Sequence, residues 1–419
     1  MSFLPYARQT LDAADIEAVV KVLQSDFLTT GPALEGFEAA LAQATGAVHA
    51  LACSSGTAAL HLALAALELG PGDAAIVPSI TFLATANAAR YCGAEPVFAD
   101  VDPTTGLMTP STLEEALGRT RAAGLRPRAV LPVHLTGQCA PVEALAAVAA
   151  GTGAVLVEDA CHAIGTAHRG PGDERIPVGA CRWSAMATFS FHAVKTIAAG
   201  EGGAVTTNDP ALARRVALLR NHGMTREAAS FRDSGLSLDD AGEANPWSYE
   251  MAEPGWNYRL TDIQAALAAS QLRRLAAITA QRAGLAAQYD ALLAGGPARP
   301  IPRVEACSPA WHLYSVLIDF AGLGLTRAGV MKALRAAGIG TQVHYIPVHR
   351  QPYYAACNPG LSLPGADAYY AATLSLPLYE SMRASDTGRV VSCLRTILSD
   401  PVARSDTGFR QHESRSRAR

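Results

Sequence analysis

The chain has 419 residues, a formal net charge of -3 and 49% hydrophobic residues. At this length one hydrophobic core rarely suffices, so two domains are expected. Lys and Arg are scattered and no apolar stretch is long enough to cross a bilayer, which argues against a nucleic-acid or membrane partner and favours a cytoplasmic enzyme.

Residues 45–220 alternate short apolar segments, typical of strands, with segments of helical periodicity. The predicted strands are 74–80, 96–101, 128–135, 154–159, 187–192 and 203–207. The predicted helices are 57–69, 82–92, 111–123, 141–150 and 210–220. Because the strands are apolar throughout, helices should cover both faces of a mostly parallel sheet. A ligand is expected at the carboxyl ends of its strands.

The chain after residue 220 changes in character. Residues 223–256 are polar and rich in Gly, Asp, Glu and Pro, which is typical of a long surface excursion. Thr261 and Asp262 can then cap one long helix that continues through Tyr289. Such a helix commonly bridges two domains.

A smaller α/β region follows this helix. Its predicted elements are a strand at 313–319, a helix at 326–337 and loops rich in Pro and Tyr at 344–354. The expected fold class is therefore α/β, with a large domain at 1–260, a smaller C-terminal domain at 261–398 and a disordered tail at 399–419.

The most informative segment is FSFHAVK at 189–195, followed by the glycine-rich GEGGAV at 200–205. Lys195 stands at the exit of an apolar strand, where desolvation can lower the pKa of its amine and make it nucleophilic. A single lysine at a strand end is more often a solvated surface residue. The interpretation of Lys195 as a catalytic residue therefore depends on its neighbours.

A second segment, CSSGTAAL at 53–60, is a turn of small residues that opens an apolar helix. Ser55 and Gly56 let the backbone approach an anion, and Thr57 lies at the helix start, where free N–H groups favour a phosphate. Taken alone, this segment is more often an N-cap with a tight turn, because capping is common.

Two adjacent carboxylates, Glu158 and Asp159, end a predicted buried strand. Neighbours on a strand point to opposite faces, so one of them can reach a ligand. A carboxylate that faces the pyridine nitrogen of pyridoxal 5′-phosphate (PLP) keeps it protonated, and a phosphate cradle, a carboxylate and a lysine in this order are the parts that hold PLP. Capping or ion pairing at the strand end is the alternative.

Other candidates are unremarkable singly. Phe82 follows a strand and can stack on a planar ring or belong to the core. His162 can contact the cofactor or complete a turn, and Ser190 can donate to a phosphate. Asn257 and Arg259 precede the bridging helix and offer an amide and a cation to anionic groups.

Neither disulfides nor metal sites are predicted. The eight cysteines include no CxxC pair, so we expect reduced thiols. His344 and His349 lie close in sequence, but no third ligand accompanies them, and metal sites need three or four convergent ligands.

Taken together, these segments resemble the DegT/DnrJ/EryC1/StrS family of sugar aminotransferases, which has the PLP-dependent transferase fold type I. The segments that carry the resemblance are SSGTAAL (54–60), PSITFLATANAA (78–89), VEDACHAIG (157–165), FSFHAVK (189–195), GEGGAV (200–205) and GWNYRLTDIQAAL (255–267). The chain departs from the family pattern at Gly56, at Cys161 and at 196–199. None of these departures removes a chemical group that the reaction needs.

The resemblance also implies roles for individual residues. Lys195 would carry the cofactor and move protons, and Asp159 would face the pyridine nitrogen. The remaining cofactor contacts implied are Thr57, Ala58 and Ser190 at the phosphate, Phe82 on the ring, His162 near the ring oxygen, and Asn257 at the phosphate of a neighbouring subunit. The last role implies a homodimer with shared active sites.

The expected reaction is transfer of an amino group from L-glutamate to a nucleotide-sugar ketone. Four segments resemble a subgroup that acts on a UDP-linked 4-keto-6-deoxy-N-acetylhexosamine: FLPYARQ (3–9), ITFLATANAARYCGA (80–94), RNHGM (220–224) and IGTQVHYIPVHRQPYY (339–354). The candidate substrate contacts are Tyr6, Arg8, Arg220, His222 and Tyr314, although any one of the charges among them can equally be a surface charge.

Alternatives to this reaction remain. The acceptor can be another nucleotide ketosugar, or the chain can be a regulatory member of the fold without activity. A PLP-dependent sugar dehydratase of the same family would have histidine in place of Lys195. A nicotinamide-dependent dehydrogenase is disfavoured because no G-x-G-x-x-G follows the first strand.

Overall fold

The computed structural model describes residues 3–399. The predicted tail lies outside this range from residue 400 onward. The helices are α1 (Ala13–Leu23), α2 (Pro32–Thr45), α3 (Gly56–Ala66), α4 (Leu83–Tyr91), α5 (Pro110–Ala122), α6 (Val142–Ala149), α7 (Pro210–Leu219), α8 (Ser234–Ser237), α9 (Asp262–Arg273), α10 (Leu275–Leu293), α11 (Arg327–Ala336), α12 (Pro352–Cys357), α13 (Pro364–Ala372) and α14 (Ala384–Ser399).

The strands belong to four sheets. They are β1 (His49–Cys53), β2 (Asp73–Pro78), β3 (Glu95–Ala99), β4 (Arg126–Val130), β5 (Val155–Asp159), β6 (Ala167–Arg169), β7 (Arg175–Pro177), β8 (Met186–Ser190), β9 (Gly203–Thr207), β10 (Met224–Thr225), β11 (Glu250–Met251), β12 (Ala298–Pro300), β13 (Cys307–Ser308), β14 (Tyr314–Ile318) and β15 (Thr373–Leu376).

The largest sheet has seven strands in the order β1-β9-β8-β5-β4-β2-β3. Neighbouring strands are parallel except at β9, which is antiparallel to both β1 and β8. Ile76 packs in a cluster with residues of α5 and α6, and its neighbour Val77 packs in a cluster with residues of α3 and α4. The predicted mostly parallel sheet, covered by helices on both faces, is therefore confirmed.

The N-terminal part contains elements that the sequence analysis did not assign. Helix α1 begins with a capping box in which Asp12 accepts a hydrogen bond from the N–H of Asp15. Helix α2 has Pro32 in its first turn and ends at Gly46, whose φ of 73° is left-handed. Both helices pack against α9.

The predicted single bridging helix is two helices, α9 and α10. Thr261 caps α9 as predicted, because its hydroxyl accepts a hydrogen bond from the N–H of Gln264. The break lies at Arg274, whose guanidinium binds the carboxylates of Asp12, Asp15 and Glu380. The prediction of one continuous helix was therefore wrong. The ion pairs from Arg274 to Asp12 and Asp15 also attach the start of α1 to the junction between α9 and α10.

The C-terminal region has its own core around the antiparallel sheet β12-β14-β15. Tyr289 and Tyr314 stack within this core at 4.6 Å between ring centroids. Leu4, which the sequence analysis placed in the large domain, packs in the same core and bridges to Ile339. The division at residue 260 stays a prediction. Within the part of the chain that the structure describes, no helix is long and apolar enough to cross a membrane.

Candidate active site

A cavity of about 660 Å³ lies where the carboxyl ends of β5 and β8 meet the first turn of α3. Its wall also includes residues from the loop after α11, among them His344 and Tyr345. This is the position that a parallel sheet predicts for a ligand, because the carboxyl ends of its strands meet at one edge.

Lys195 lies in this cavity, in the return between the antiparallel strands β8 and β9. The return is held by backbone hydrogen bonds from Phe191 to Gly202 and from Ala193 to Gly200, at 2.8 and 3.0 Å. Burial lowers the pKa of Lys195 below its usual value, against the opposing effects of Cys161 and Asp159. A larger fraction of the amine is therefore neutral and nucleophilic at a given pH.

Asp159 ends β5 and lines the same cavity while only 5% of its surface is exposed. One carboxylate oxygen accepts a hydrogen bond from the Thr85 hydroxyl at 2.7 Å, and the other accepts one from the N–H of Cys161 at 3.2 Å. The Thr85 hydroxyl is also 2.7 Å from that of Thr81. These contacts fix the carboxylate in a position from which it can bind a protonated ring nitrogen.

Glu158 points away from the cavity, as the alternation of a strand predicts. Its carboxylate lies 2.8 Å from His134 Nε2 and accepts a further hydrogen bond from Ser184. His134 Nδ1 accepts the N–H of Ala140 at 3.0 Å, so His134 carries its proton on Nε2 and donates it to Glu158. The structure therefore places Asp159, and not Glu158, at the cavity.

Glu158 also belongs to a cluster of three side chains of the types that bind metals. His134, Glu158 and His168 offer ligand atoms within 4.8 Å of one another. A metal at His134 Nε2 would have to displace its proton and break its hydrogen bond to Glu158, while Nδ1 already accepts from Ala140. His344 and His349 are bound to different serines, Ser375 and Ser79, so they do not form a site together.

Glu158→Gln is expected to lower the free energy of unfolding by about 1–3 kcal/mol at pH 7, because the buried amide loses charge-assisted hydrogen bonds. Burial raises the pKa of Glu158, but the hydrogen bonds from His134 and Ser184 outweigh it and lower that pKa. The stabilisation is thus present above the ordinary carboxyl pKa and lost as the pH falls through the folded value.

Chemical denaturation of the wild type and Glu158→Gln at several pH values checks this prediction. The stability difference between the two proteins should narrow as the pH is lowered from 7 to about 3. A difference that stays constant over this range would contradict the assignment of Glu158 as a stabilising anion.

The first turn of α3 forms a cradle of suitable size for a phosphate. The Ser55 hydroxyl caps the helix by accepting the N–H of Ala58 at 3.1 Å. Gly56 and Thr57 occupy the first turn, whose N–H groups have no partner within a helix. A Cβ at Gly56 would lie 2.8 Å from the Cβ of Ser190 and 3.3 Å from Cys161 Sγ, so the departures at Gly56 and Cys161 fit each other. These residues fit the phosphate of PLP.

Gly56→Ala is therefore expected to weaken PLP binding about tenfold or more, because the added methyl group displaces Ser190 or the first turn of α3. Titration of the apoprotein with PLP, followed by absorbance, measures this effect. Gly118→Ala in α5 is the matched control, since its Cβ would meet nothing within 4 Å and the change should stabilise the helix by about 0.5–1 kcal/mol. Equal PLP affinity in the two variants would refute the cradle.

The ring-facing candidates also line the cavity. Phe82 follows β2 and remains 57% exposed at the cavity. His162 Nε2 lies 3.0 Å from the hydroxyl of Tyr345. Burial, and then the charge of Lys195, lower the pKa of His162 well below its usual value, so this imidazole is neutral. A neutral imidazole can exchange hydrogen bonds with a ring oxygen.

The remaining predicted contacts differ in whether they line the cavity. Tyr6 lines the cavity, whereas Ala58 is buried in α3. Arg8, His222 and Asn257 are exposed and do not line the cavity of this chain. Their predicted contacts stay predictions, since Asn257 was expected to serve a neighbouring subunit.

The structure corrects two predicted substrate contacts. Arg220 binds the carboxylate of Glu38 and the carbonyl of Ala52, so its charge is already paired. Tyr314 is buried in the core of the C-terminal region, and its hydroxyl donates to Asp290 at 2.7 Å. Neither residue lines the cavity.

Several cavity residues were not predicted as contacts to cofactor or substrate, among them Thr85, His312, His344 and Tyr345. Thr85 lies one helical turn from Thr81, a spacing that indicates two hydroxyls on one side of a helix start. His344 was considered only as a metal ligand, and Tyr345 was not singled out. His312 precedes β14 and gave no local signal, because it reaches the cavity only through tertiary packing.

Comparisons with known proteins agree with this geometry. Residues 9–395 match the DegT/DnrJ/EryC1/StrS aminotransferase family. The putative sugar aminotransferase Spr1654 of Streptococcus pneumoniae, in its PMP form, has 26% identity and a TM-score of 0.83, covering 96% of this chain and 100% of that chain. Its PLP form is similar as well.

Two further solved structures are comparable. DesV of S. venezuelae has 33% identity and a TM-score of 0.80, covering 96% of this chain and 100% of that chain. PseC of Helicobacter pylori is an aminotransferase involved in the biosynthesis of pseudoaminic acid. It has 28% identity and a TM-score of 0.81, covering 94% of this chain and 98% of that chain. The chain thus belongs to the DegT/DnrJ/EryC1/StrS aminotransferase family and is a PLP-dependent sugar aminotransferase.

Proposed function

We propose that this enzyme transfers the amino group of L-glutamate to C4 of a UDP-linked 4-keto-6-deoxy-N-acetylhexosamine. The specific acceptor proposed is UDP-2-acetamido-2,6-dideoxy-β-L-arabino-hexos-4-ulose, in the pathway to pseudaminic acid. One observation carries the proposal: two of the segments that resemble this subgroup, 3–9 and 339–354, converge on the cavity. The rings of Tyr6 and His344, one from each segment, lie 5.7 Å apart and both line the cavity. The likeness to PseC supports the same acceptor.

The chemistry divides between the cofactor and the chain. PLP, when bound, supplies a carbonyl that accepts an amine and a ring that withdraws electrons from the neighbouring carbon. Lys195 would attach the cofactor and then take up and return the proton at the reacting carbon, for which its lowered pKa suits it. Asp159, held by Thr85, would keep the pyridine nitrogen protonated. Thr57 and Ser190 would hold the phosphate.

The proposed assembly is a homodimer with shared active sites. Asn257 is exposed beside Trp256, in the segment that pairs with Asn221. The nearby excursion exposes 73% of Trp247 and 64% of Met251, an arrangement that favours burial against a second copy. Sedimentation of the PLP-loaded protein tests the homodimer, and a monomer at micromolar concentration with full activity would reject it.

The proposed location of the enzyme is the cytoplasm. The eight free cysteines fit its reducing conditions.

Competition between two ketosugars tests the acceptor. The PLP-loaded enzyme, L-glutamate and equal amounts of the L-arabino and D-xylo UDP-4-ketosugars are combined, and the aminated products are separated and weighed by mass spectrometry. We expect the L-arabino product to dominate. A preference for the D-xylo form would reject the acceptor assignment while the aminotransferase activity stands.

A second class of acceptor is the alternative for the same reaction. The identity to DesV, at 33%, exceeds the 28% identity to PseC. Another nucleotide ketosugar, either a D-xylo 4-keto sugar or a 3-keto sugar, is the alternative acceptor. A panel of UDP- and dTDP-ketosugars in the same assay distinguishes it from the first proposal.

A further inference from the structure

The charge of the cavity wall is unusual for an enzyme that accepts a dicarboxylate. Among the described residues that line the cavity, Lys195 is the only Lys or Arg. The wall also carries the carboxylates of Asp159 and Glu201. Because Lys195 attaches the cofactor in the proposed function, some other group must bind the carboxylates of L-glutamate. A carboxylate cannot be desolvated without a hydrogen-bond donor.

His312 is the first available donor. Its ring lines the cavity and lies 4.5 Å from the ring of His162, measured between centroids. Its backbone is fixed, because its N–H donates to the carbonyl of Thr136 at 2.9 Å and its own carbonyl accepts from Arg282 at 3.2 Å. The ring nitrogens of His312 make no hydrogen bond within residues 3–399, and Nδ1 is fully buried. The side chain is thus held in place with an unused hydrogen-bonding capacity.

His344 is the second donor, and it has an adjustable partner. Its Nδ1 lies 2.8 Å from the hydroxyl of Ser375, which lies 2.8 Å from the hydroxyl of Ser315. Serine hydroxyls rotate, so this pair can either donate to Nδ1 or accept from it. His344 Nε2 can therefore present either a proton or a lone pair to the cavity without leaving a buried group unpaired.

Two substrates of different charge must use this cavity in turn. An arginine in the wall would suit the carboxylate of the donor, but it would be left unpaired when the sugar ring of the acceptor replaced it. Burial keeps both imidazoles neutral by lowering the pKa of His312 and of His344, the latter to about 3. A neutral imidazole can donate its N–H to either a carboxylate or a hydroxyl.

We propose that His312 and His344 bind a carboxylate of the amino donor and then hydrogen-bond the sugar of the acceptor, as a recognition pair shared by both half-reactions. This inference rests on the proposed function, since it needs a dicarboxylate donor and a sugar acceptor at one site. It adds the residues that recognise both substrates.

The test uses the PLP-loaded enzyme and two variants, His312→Gln and His344→Gln. Binding of glutarate, a dicarboxylate without an amino group, is measured by calorimetry and requires no turnover. The reaction with L-glutamate alone is then followed by the change in cofactor absorbance at several concentrations. We expect each variant to bind glutarate about 10- to 100-fold more weakly and to need correspondingly more L-glutamate for half-maximal rate. The maximal rate with L-glutamate should fall by a smaller factor than the affinity for glutarate.

His349→Gln is the matched control. His349 is 6% exposed, as is His344, and likewise pairs its Nδ1 with a serine, Ser79, but it does not line the cavity. It should lose stability without losing glutarate affinity. The UDP-ketosugar reaction of the amine-loaded enzyme completes the test, because both cavity variants should also need more sugar for half-maximal rate.

The outcomes separate this inference from the function on which it rests. If the wild type reacts with L-glutamate while both cavity variants keep wild-type glutarate affinity, the inference is wrong and the carboxylate partner lies elsewhere, for example on a second copy. If the variants lose glutarate affinity but react normally with the sugar, the shared role is wrong. A wild type that converts no amino donor would overturn the proposed function, and this inference with it.

Discussion

Lys195→Ala is expected to lose at least about 10³-fold in the rate of amino transfer, because in the proposed mechanism one side chain both attaches the cofactor and moves the proton. Its amine lies in the cavity with a lowered pKa, and no other cavity residue among those described combines these properties. The rate of amination and the visible absorbance of the PLP-loaded protein measure the loss.

The small number of lysines in the chain simplifies the choice of a control variant. The only lysines in the sequence are Lys21, Lys195 and Lys332. Lys332 is exposed on α11, so Lys332→Ala should react like the wild type. Borohydride reduction of the PLP-loaded enzyme, followed by peptide mass spectrometry, should place the cofactor on Lys195. Full turnover by Lys195→Ala would show that the assignment is wrong.

Asp159→Asn should still bind PLP but react about 10²- to 10³-fold more slowly, because a neutral amide does not hold the proton on the pyridine nitrogen. The phosphate cradle at Gly56 and Ser190 is untouched by this change, so cofactor affinity should fall much less than the rate. PLP titration and single-turnover rates with L-glutamate measure the two effects separately.

Glu158→Gln is the natural comparison, since it changes the adjacent carboxylate in the same way. Glu158 contacts His134 and Ser184 and does not line the cavity, so this variant should lose stability but keep its rate once folded. A near-normal rate in Asp159→Asn, together with a slow Glu158→Gln, would reverse the assignment.

Local patterns were sufficient for six of the seven strands of the largest sheet and for the position of the lysine, but β1 was not predicted. Continuous apolarity predicted strands buried on both faces, and alternation predicted that Glu158 and Asp159 diverge. The family resemblance implied Asp159, but local patterns alone did not decide which carboxylate faces the cavity, because this depends on His134 and Thr85, at sequence separations of 24 and 74 residues. Contacts at such separations have no local signal.

The errors have the same origin. Arg220 and Tyr314 have side chains that commonly bind substrates, but Glu38 and Asp290 pair with them in this fold. The break at Arg274 has neither proline nor glycine beside it and coincides with three ion pairs from distant parts of the chain. In contrast, α1 and α2 carried recognisable capping signals that the sequence analysis did not use.

The register of β5 has a consequence for misfolded molecules. Glu158 is opposite Ala187 and Asp159 opposite Thr188 on β8, and a slip of one residue would exchange the faces of the two carboxylates. The shorter Asp159 would then face His134, while the longer Glu158 would enter the cavity. Such a molecule would be both less stable and less active, so cellular proteolysis that removes unstable chains would also remove the inactive ones.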